Sequence, residues 1–125
     1  MTWRRWFFSA KLAWQQKTLR VLTILTCLLS ILVSGYYLWS VVPVARRSGT
    51  VVVHYNIYLG IDDVRSWPWV FLLPAIWLAC TFIGLLWSYA SYQHDPHLSV
   101  SLIVFAFFWS LPWIAALFYL SLLNR

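Results

Sequence analysis

Three long stretches of the chain carry no charged side chain, over residues 21–42, 69–93 and 98–124. Each is longer than the roughly 20 residues that an α-helix, rising about 1.5 Å per residue, needs to cross a hydrocarbon core of about 30 Å. A soluble chain of 125 residues rarely tolerates such runs. We therefore expect one membrane domain over residues 21–125, with transmembrane helices at about 21–42, 69–92 and 97–123.

Residues 1–20 form a separate basic segment before the first span. At 100° per residue, most of its tryptophan and alanine side chains fall within one arc, and most of its cations lie on the other side. Such a helix suits the membrane interface, where indole rings lie partly in lipid and cations contact headgroups. The alternative is a segment that only sets topology. The residues assigned to the lipid interface are Trp3, Arg4, Arg5, Trp6, Lys11, Trp14, Lys17 and Arg20.

The formal charge of +6 raises the question of nucleic acid. Nucleic-acid binders concentrate Lys and Arg on a water-exposed face, whereas five of the nine basic residues here precede a membrane span. We therefore expect no nucleic-acid partner and anionic membrane lipid as the counter-charge. The same five residues, against four on the other side, favour a cytoplasmic N-terminus and an extracytoplasmic C-terminus.

The connection between the second and third spans contains Asp95 and Pro96. Asp is a favourable helix N-cap, and Pro suits the first helical position because its missing N–H needs no partner there. The third helix should begin at Pro96. His94, Asp95 and His97 also lie within four residues, as metal ligands often do, but a zinc site needs further ligands. We favour a solvated turn and expect neither a metal nor a cofactor.

The external connection, residues 43–68, contains a run of β-branched and aromatic residues between Gly49 and Gly60. We expect an extended strand over residues 50–60, or a small hairpin in which it pairs with residues 41–45. Unpaired backbone groups cannot enter hydrocarbon, so the strand should lie outside the membrane core. Its open edge would allow a partner to add a strand.

Five residues of this connection and the next helix carry a family resemblance: His54, Asn56, Gly60, Asp62 and Pro74. The segment resembles small three-helix bacterial membrane proteins and the N-terminal domain of SdpI-like immunity and signalling membrane proteins. The resemblance covers residues 37–88. It departs from the pattern at Val52, a position where those proteins often have Pro. The resemblance implies a protein of a bacterial plasma membrane in which this loop lies outside the membrane. The assigned partner or ligand residues are His54, Tyr55, Asn56, Tyr58, Gly60 and Asp62.

Chemistry has few candidate residues in this chain. The three charge-free stretches contain no Asp, Glu, Lys, Arg or His, and intramembrane transport sites normally need one facing the bundle. A minimal enzyme would have to use acid/base groups of the external loop, namely His54, Asp62 or Asp63. These groups are more simply a polar rim that caps backbone groups and pairs with arginines. We therefore expect no enzymatic activity.

Each span carries small residues spaced by four, which let helix backbones approach closely. Pro74 and Pro112 should kink their helices or start a new turn. The fold expected is an all-α integral membrane protein of three transmembrane helices, with an N-terminal amphipathic interfacial helix and a short extracytoplasmic β-like segment. The residues assigned to helix packing are Ser30, Ser34, Gly84, Ser88, Ala106 and Ser110.

The function expected is that of an accessory or scaffolding subunit that packs against another membrane protein, a second copy or lipid. The Trp-rich composition fits lipid-facing bulk or an aromatic surface for a partner. The alternative is an SdpI-like immunity or sensor module that binds an external ligand through the loop from His54 to Asp62.

Overall fold

A computed structural model describes residues 3–56 and 58–125, except the side chains of Tyr55, Asn56 and Asp62. It has four helices, α1 (Trp3–Gln15), α2 (Lys17–Ser48), α3 (Leu72–Ser91) and α4 (Pro96–Leu123). Between α2 and α3 lie two strands, β1 (Thr50–Asn56) and β2 (Gly60–Ser66), and a 3-10 helix, Trp67–Phe71. The described chain is therefore mostly helical with one small sheet.

Three helical segments are long and apolar enough to cross a membrane: Lys17–Ser48, Trp67–Ser91 and Pro96–Leu123. The spans predicted at 21–42 and 97–123 lie inside the first and third segments, and the span at 69–92 exceeds the second by one residue. The prediction of a mainly helical fold with three candidate spans and a small β segment is confirmed at this level.

The N-terminal part of the external loop was predicted wrongly, because α2 continues through Pro43 to Ser48. Proline removes one helix hydrogen bond but does not always end a helix. The true end has a recognisable pattern: Arg46 and Arg47 occupy the last turn, where cations stabilise the carbonyl end. Gly49 follows with φ +75°, the left-handed conformation common just beyond a helix.

The strand prediction was right for residues 50–56 and wrong in its extent and partner. β1 pairs antiparallel with β2, from Thr50 opposite Ser66 to Asn56 opposite Gly60. The alternative partner, residues 41–45, is helical. Gly60 has φ +78°, and the chain reverses just before it at Tyr58 and Leu59. A register shift between Val52 and Tyr55 interrupts the regular pairing of the two strands.

The start of α4 is as predicted. Pro96 is its first residue, and the Asp95 Oδ1 accepts a hydrogen bond from the Leu98 N–H at 3.0 Å. Leu98 is the third helical residue, so Asp95 satisfies an N–H that has no partner within the helix. Pro74 and Pro112, where a kink or a new turn was expected, lie within the first turn of α3 and inside α4, respectively.

The chain divides into two compact units. The first comprises the described part of Met1–Ser30 together with Ala79–Leu111. Its apolar centre is formed by Ala13, Leu19 and Ile103, against which Leu85 and Tyr89 pack. Helix α1 is therefore part of this unit's packing as well as an amphipathic segment.

The second unit comprises Ile31–Leu78 and Pro112–Arg125. It contains the hairpin, and its core includes the fully buried Trp77, whose ring stacks on Trp113 at 6.3 Å between centroids and an angle of 4°. Around this pair lie side chains from α2, β1, the 3-10 helix and α4: Tyr37, Val41, Ala45, Val51, Val70, Leu117 and Leu120.

The distribution of polar and aromatic side chains is the reverse of that in a soluble bundle. All ten tryptophans lie in the described part, and only Trp77 among them is buried. Trp39 and Trp87 are 84% and 64% exposed. The helices instead bury hydroxyl side chains, namely Ser9, Thr26, Ser30, Ser34, Thr81, Ser88, Ser99, Ser110 and Ser121. Small residues inside and large apolar residues outside are typical of helices that pack in lipid.

Candidate functional site

The hairpin carries the residues predicted to form the ligand loop. His54 is exposed on β1, Tyr58 is 93% exposed at the turn, and Gly60 begins β2. The side chains of Tyr55, Asn56 and Asp62 lie outside the described residues. His54 lines a cavity of about 270 Å³ with Val53, Leu73, Ala116, Tyr119 and Leu120. Among the described side chains of the predicted set, that of His54 therefore borders a concave surface.

The outer edge of β1 is closed at Val52 by the side chain of Asn124. The Asn124 carboxamide accepts a hydrogen bond from the Val52 N–H at 2.7 Å and donates to the Val52 carbonyl at 3.0 Å. It also donates to the Leu120 carbonyl at 2.9 Å, within its own helix end. In an antiparallel pair alternate residues point their backbone groups away from the partner strand, and Val52 is one of these.

This contact corrects the expectation of an open β1 edge. Ser48 Oγ lies 2.9 Å from the Thr50 carbonyl oxygen and 3.4 Å from the Thr50 N–H nitrogen, two residues along the same edge. A partner strand can pair with β1 here only if Asn124 and Ser48 leave. Asn124 was missed in the sequence because its partner is 72 residues away.

Arginine and tryptophan side chains pair around the base of the hairpin. The Arg46 guanidinium lies 5.0 Å from the Trp67 ring centroid, and that of Arg65 lies 5.1 Å from the Trp69 ring. Arg65 also donates to Asp63 at 2.6 Å. This hydrogen bond, with the Asp63 charge, raises the pKa of Arg65 above its ordinary value. These pairs combine a cation with an amphipathic ring, as in membrane-interface belts.

Helix α1 is held to the end of α3 by Ser9, which is fully buried. Its Oγ donates to the Tyr89 carbonyl at 2.7 Å and accepts from the Gln93 N–H at 3.0 Å. The last carbonyls of a helix lack partners within it, so Ser9 caps α3 from another helix. Helical periodicity could not reveal this role, because the partners of Ser9 lie 80 or more residues along the chain.

The predicted lipid-interface residues divide between two helices. Trp3, Arg4, Arg5, Trp6, Lys11 and Trp14 lie on α1, and Lys17 and Arg20 lie in the first turn of α2, after a bend at Gln16. Trp6 is half-buried and the other seven are exposed. Trp3, Phe7 and Trp14 share one exposed stripe of α1, beside Arg4 and Lys11.

The six predicted packing residues are all buried or half-buried. Ser88 exchanges hydrogen bonds with Ser99: each Oγ donates to the other's carbonyl at 2.8 Å. A methyl group added at Gly84 would lie 3.9 Å from the Ala106 Cβ, an ordinary contact. Ser30 and Ser110 bond within their own helices, to the carbonyls of Thr26 and Phe107. Ser99 was not among the predicted packing residues. That prediction relied on pairs of small residues four positions apart, and no small residue lies four positions from Ser99 on α4.

Ser34 is buried as well, and its hydroxyl has no hydrogen-bond partner.

His94, Asp95 and His97, the candidates for a metal site, are exposed. Within the described residues no group of three or more His, Cys, Asp or Glu side chains is arranged to hold a metal ion.

Comparisons with protein-family models, curated proteins and solved structures found no match to this chain.

Proposed function

We propose that the chain is an integral membrane protein with three transmembrane helices in a bacterial plasma membrane, its N-terminus cytoplasmic and its hairpin and C-terminus extracytoplasmic. The buried hydroxyls and exposed tryptophans support residence in lipid. The excess of Lys and Arg before the first span supports the orientation. The exposed aromatic and basic stripes of α1 support contact with anionic lipid at the interface.

Within the membrane, the proposed role is that of a non-enzymatic accessory or scaffolding subunit that packs against another membrane protein. One observation carries this proposal: Ala115 and Ala116 remain exposed on α4, in the second unit. Small residues let helix backbones approach closely, and the six predicted packing residues are all at least half-buried within the chain. Ala116 therefore provides a shallow notch, beside Tyr119, for a helix of a partner.

Photo-crosslinking tests this role directly. Benzoylphenylalanine placed at position 116 of the full chain in its native cells should give one discrete protein adduct, identified by mass spectrometry. The matched control is position 118: Phe118 is 53% exposed on the same helix but points about 200° away. Lipid adducts alone at position 116, or the same protein adduct from both positions, would contradict the accessory role.

The cavity beside His54 favours a second candidate, the SdpI-like sensor or immunity module. Here a secreted peptide would occupy the cavity lined by His54, Leu73 and Tyr119. A deletion strain carrying His54→Ala should lose protection against conditioned medium from sister cells, while immunoblots show normal abundance. Leu59→Ala, at the exposed turn outside this cavity, should protect fully. Full protection by His54→Ala would exclude this candidate.

A further inference from the structure

The first unit contains a second cavity, of about 550 Å³, which the proposed function does not use. One face of α3 forms its floor, with Ile83, Trp87 and Ala90 at helical spacing. Trp6 of α1 and Leu98 of α4 also line it. We call it the Trp6 groove. Its volume lies within the range of about 300–1,000 Å³ usual for small-molecule sites.

The groove is apolar along most of its lining and polar towards one end of α3. Its floor from Ile83 to Ala90 covers about 10 Å of helix. Beyond Ala90 the lining includes Ser91, His94 and Asp95. A long apolar floor with polar groups at one end matches an amphiphile, with its chain along α3 and its headgroup near His94.

The charge around the groove decides the sign of that headgroup. Arg5 is exposed one helical turn before Ser9, on the face of α1 that bonds to Tyr89 and Gln93 at the end of α3. The unit contains five Lys or Arg residues, and its single acidic residue is Asp95. The Asp95 Oδ1 already accepts the hydrogen bond from Leu98 N–H. The unit as a whole therefore carries an excess of positive charge, which favours an anionic phosphate ester.

We propose that the Trp6 groove binds one acyl chain of an anionic phospholipid from the surrounding bilayer, with the phosphate at the His94 end, on the side of α1 that carries Arg5. The proposal rests on membrane residence but not on any protein partner. The lipid-binding experiments below and the crosslinking at position 116 can therefore fail separately, because position 116 belongs to the second unit.

Native mass spectrometry of the full chain, released from bilayers of phosphatidylglycerol and phosphatidylcholine with identical acyl chains, tests the site. One phosphatidylglycerol should remain bound per chain, at least about tenfold preferred over phosphatidylcholine. Equal retention of both lipids would overturn the proposal, as would a protein dimer that excludes lipid.

Two pairs of matched variants locate the site. Ala90→Trp fills the groove and should lower phosphatidylglycerol retention at least about tenfold. Ala79→Trp, exposed on the same helix and outside the groove, should retain the lipid. Equal losses in these two variants would overturn the proposal. Near-ultraviolet circular dichroism of each variant establishes that it is folded.

A second pair of variants tests whether basic side chains cause the preference for phosphatidylglycerol, without altering the shape of the Trp6 groove. Arg4→Gln with Arg5→Gln should remove the preference for phosphatidylglycerol. Lys11→Gln with Arg20→Gln, two exposed cations away from the groove, removes the same charge and should leave the preference largely intact. This second pair of comparisons applies even if Ala90→Trp does not fold. Equal loss in both double variants would show diffuse attraction and overturn a specific site.

Discussion

Asn124→Ala should lower the free energy of unfolding by about 2–3 kcal/mol, because it removes three hydrogen bonds whose net contributions are about 1 kcal/mol each. Two of them join the end of α4 to the Val52 backbone, and the third is to Leu120. The side chain is only 9% exposed, so water replaces these bonds poorly. Equilibrium unfolding in detergent micelles measures the loss.

Hydrogen exchange at the Val52 amide localises the effect of Asn124→Ala. This N–H donates to Asn124 Oδ1 rather than to β2, so its exchange should accelerate strongly while the amides bonded to β2 change little. Arg125→Ala is the neighbouring control: Arg125 is exposed and donates to the Tyr36 hydroxyl at 3.0 Å. Its expected cost is within about 0.5 kcal/mol. If exchange at Val52 is unchanged in Asn124→Ala, the hydrogen bonds between Asn124 and the Val52 backbone are contradicted.

Asn124→Asp separates accepting from donating. Aspartate keeps the shape and the oxygen that accepts from Val52 N–H, but it cannot donate to the carbonyls of Val52 and Leu120. We expect most of the alanine loss to remain, since two of three bonds disappear and a carboxylate then faces two carbonyl oxygens. A variant as stable as the natural chain would show that the two donated bonds contribute little.

The parts of the fold that the sequence predicted are those coded by adjacent residues. Charge-free runs longer than a membrane crossing mark the three candidate spans, and Asp95 before Pro96 marks the start of α4. The end of α2 was equally readable in Arg46, Arg47 and Gly49, but the external connection was expected to begin at Pro43. A proline is an ambiguous signal in apolar helices, since neighbouring groups can satisfy the freed carbonyl.

The parts that could not be predicted depend on partners far along the chain. β2 reads Gly-Ile-Asp-Asp-Val-Arg-Ser, a composition poor in strand-forming residues, and it is a strand because β1 pairs with it. Ser9 and Asn124 act on backbone groups 80 or more and 72 residues away, respectively. Nothing local distinguishes these side chains from other serines and asparagines, so their roles appear only in the folded chain.

The sequence also did not show which tryptophan would be buried. Replacing that residue, Trp77, should have the largest effect on stability. Trp77→Ala should destabilise the chain by about 3 kcal/mol or more, because truncating a buried aromatic ring typically costs about 3–5 kcal/mol through lost contacts and the remaining cavity. The ring is fully buried and stacks on Trp113. Lipid solvates an exposed indole about as well as a core does, so the loss comes mainly from packing.

Trp39→Ala is the matched control, since the same substitution in the same unit removes a ring that is 84% exposed. Its expected cost is within about 0.5 kcal/mol. Trp77→Phe should cost less than half as much as Trp77→Ala, because it keeps a ring and removes a buried indole N–H that has no hydrogen-bond partner. Thermal and chemical unfolding of the three variants in one detergent compares them directly. Equal losses in Trp77→Ala and Trp39→Ala would contradict the packed Trp77–Trp113 pair, because only a difference in burial separates the two tryptophans in this argument.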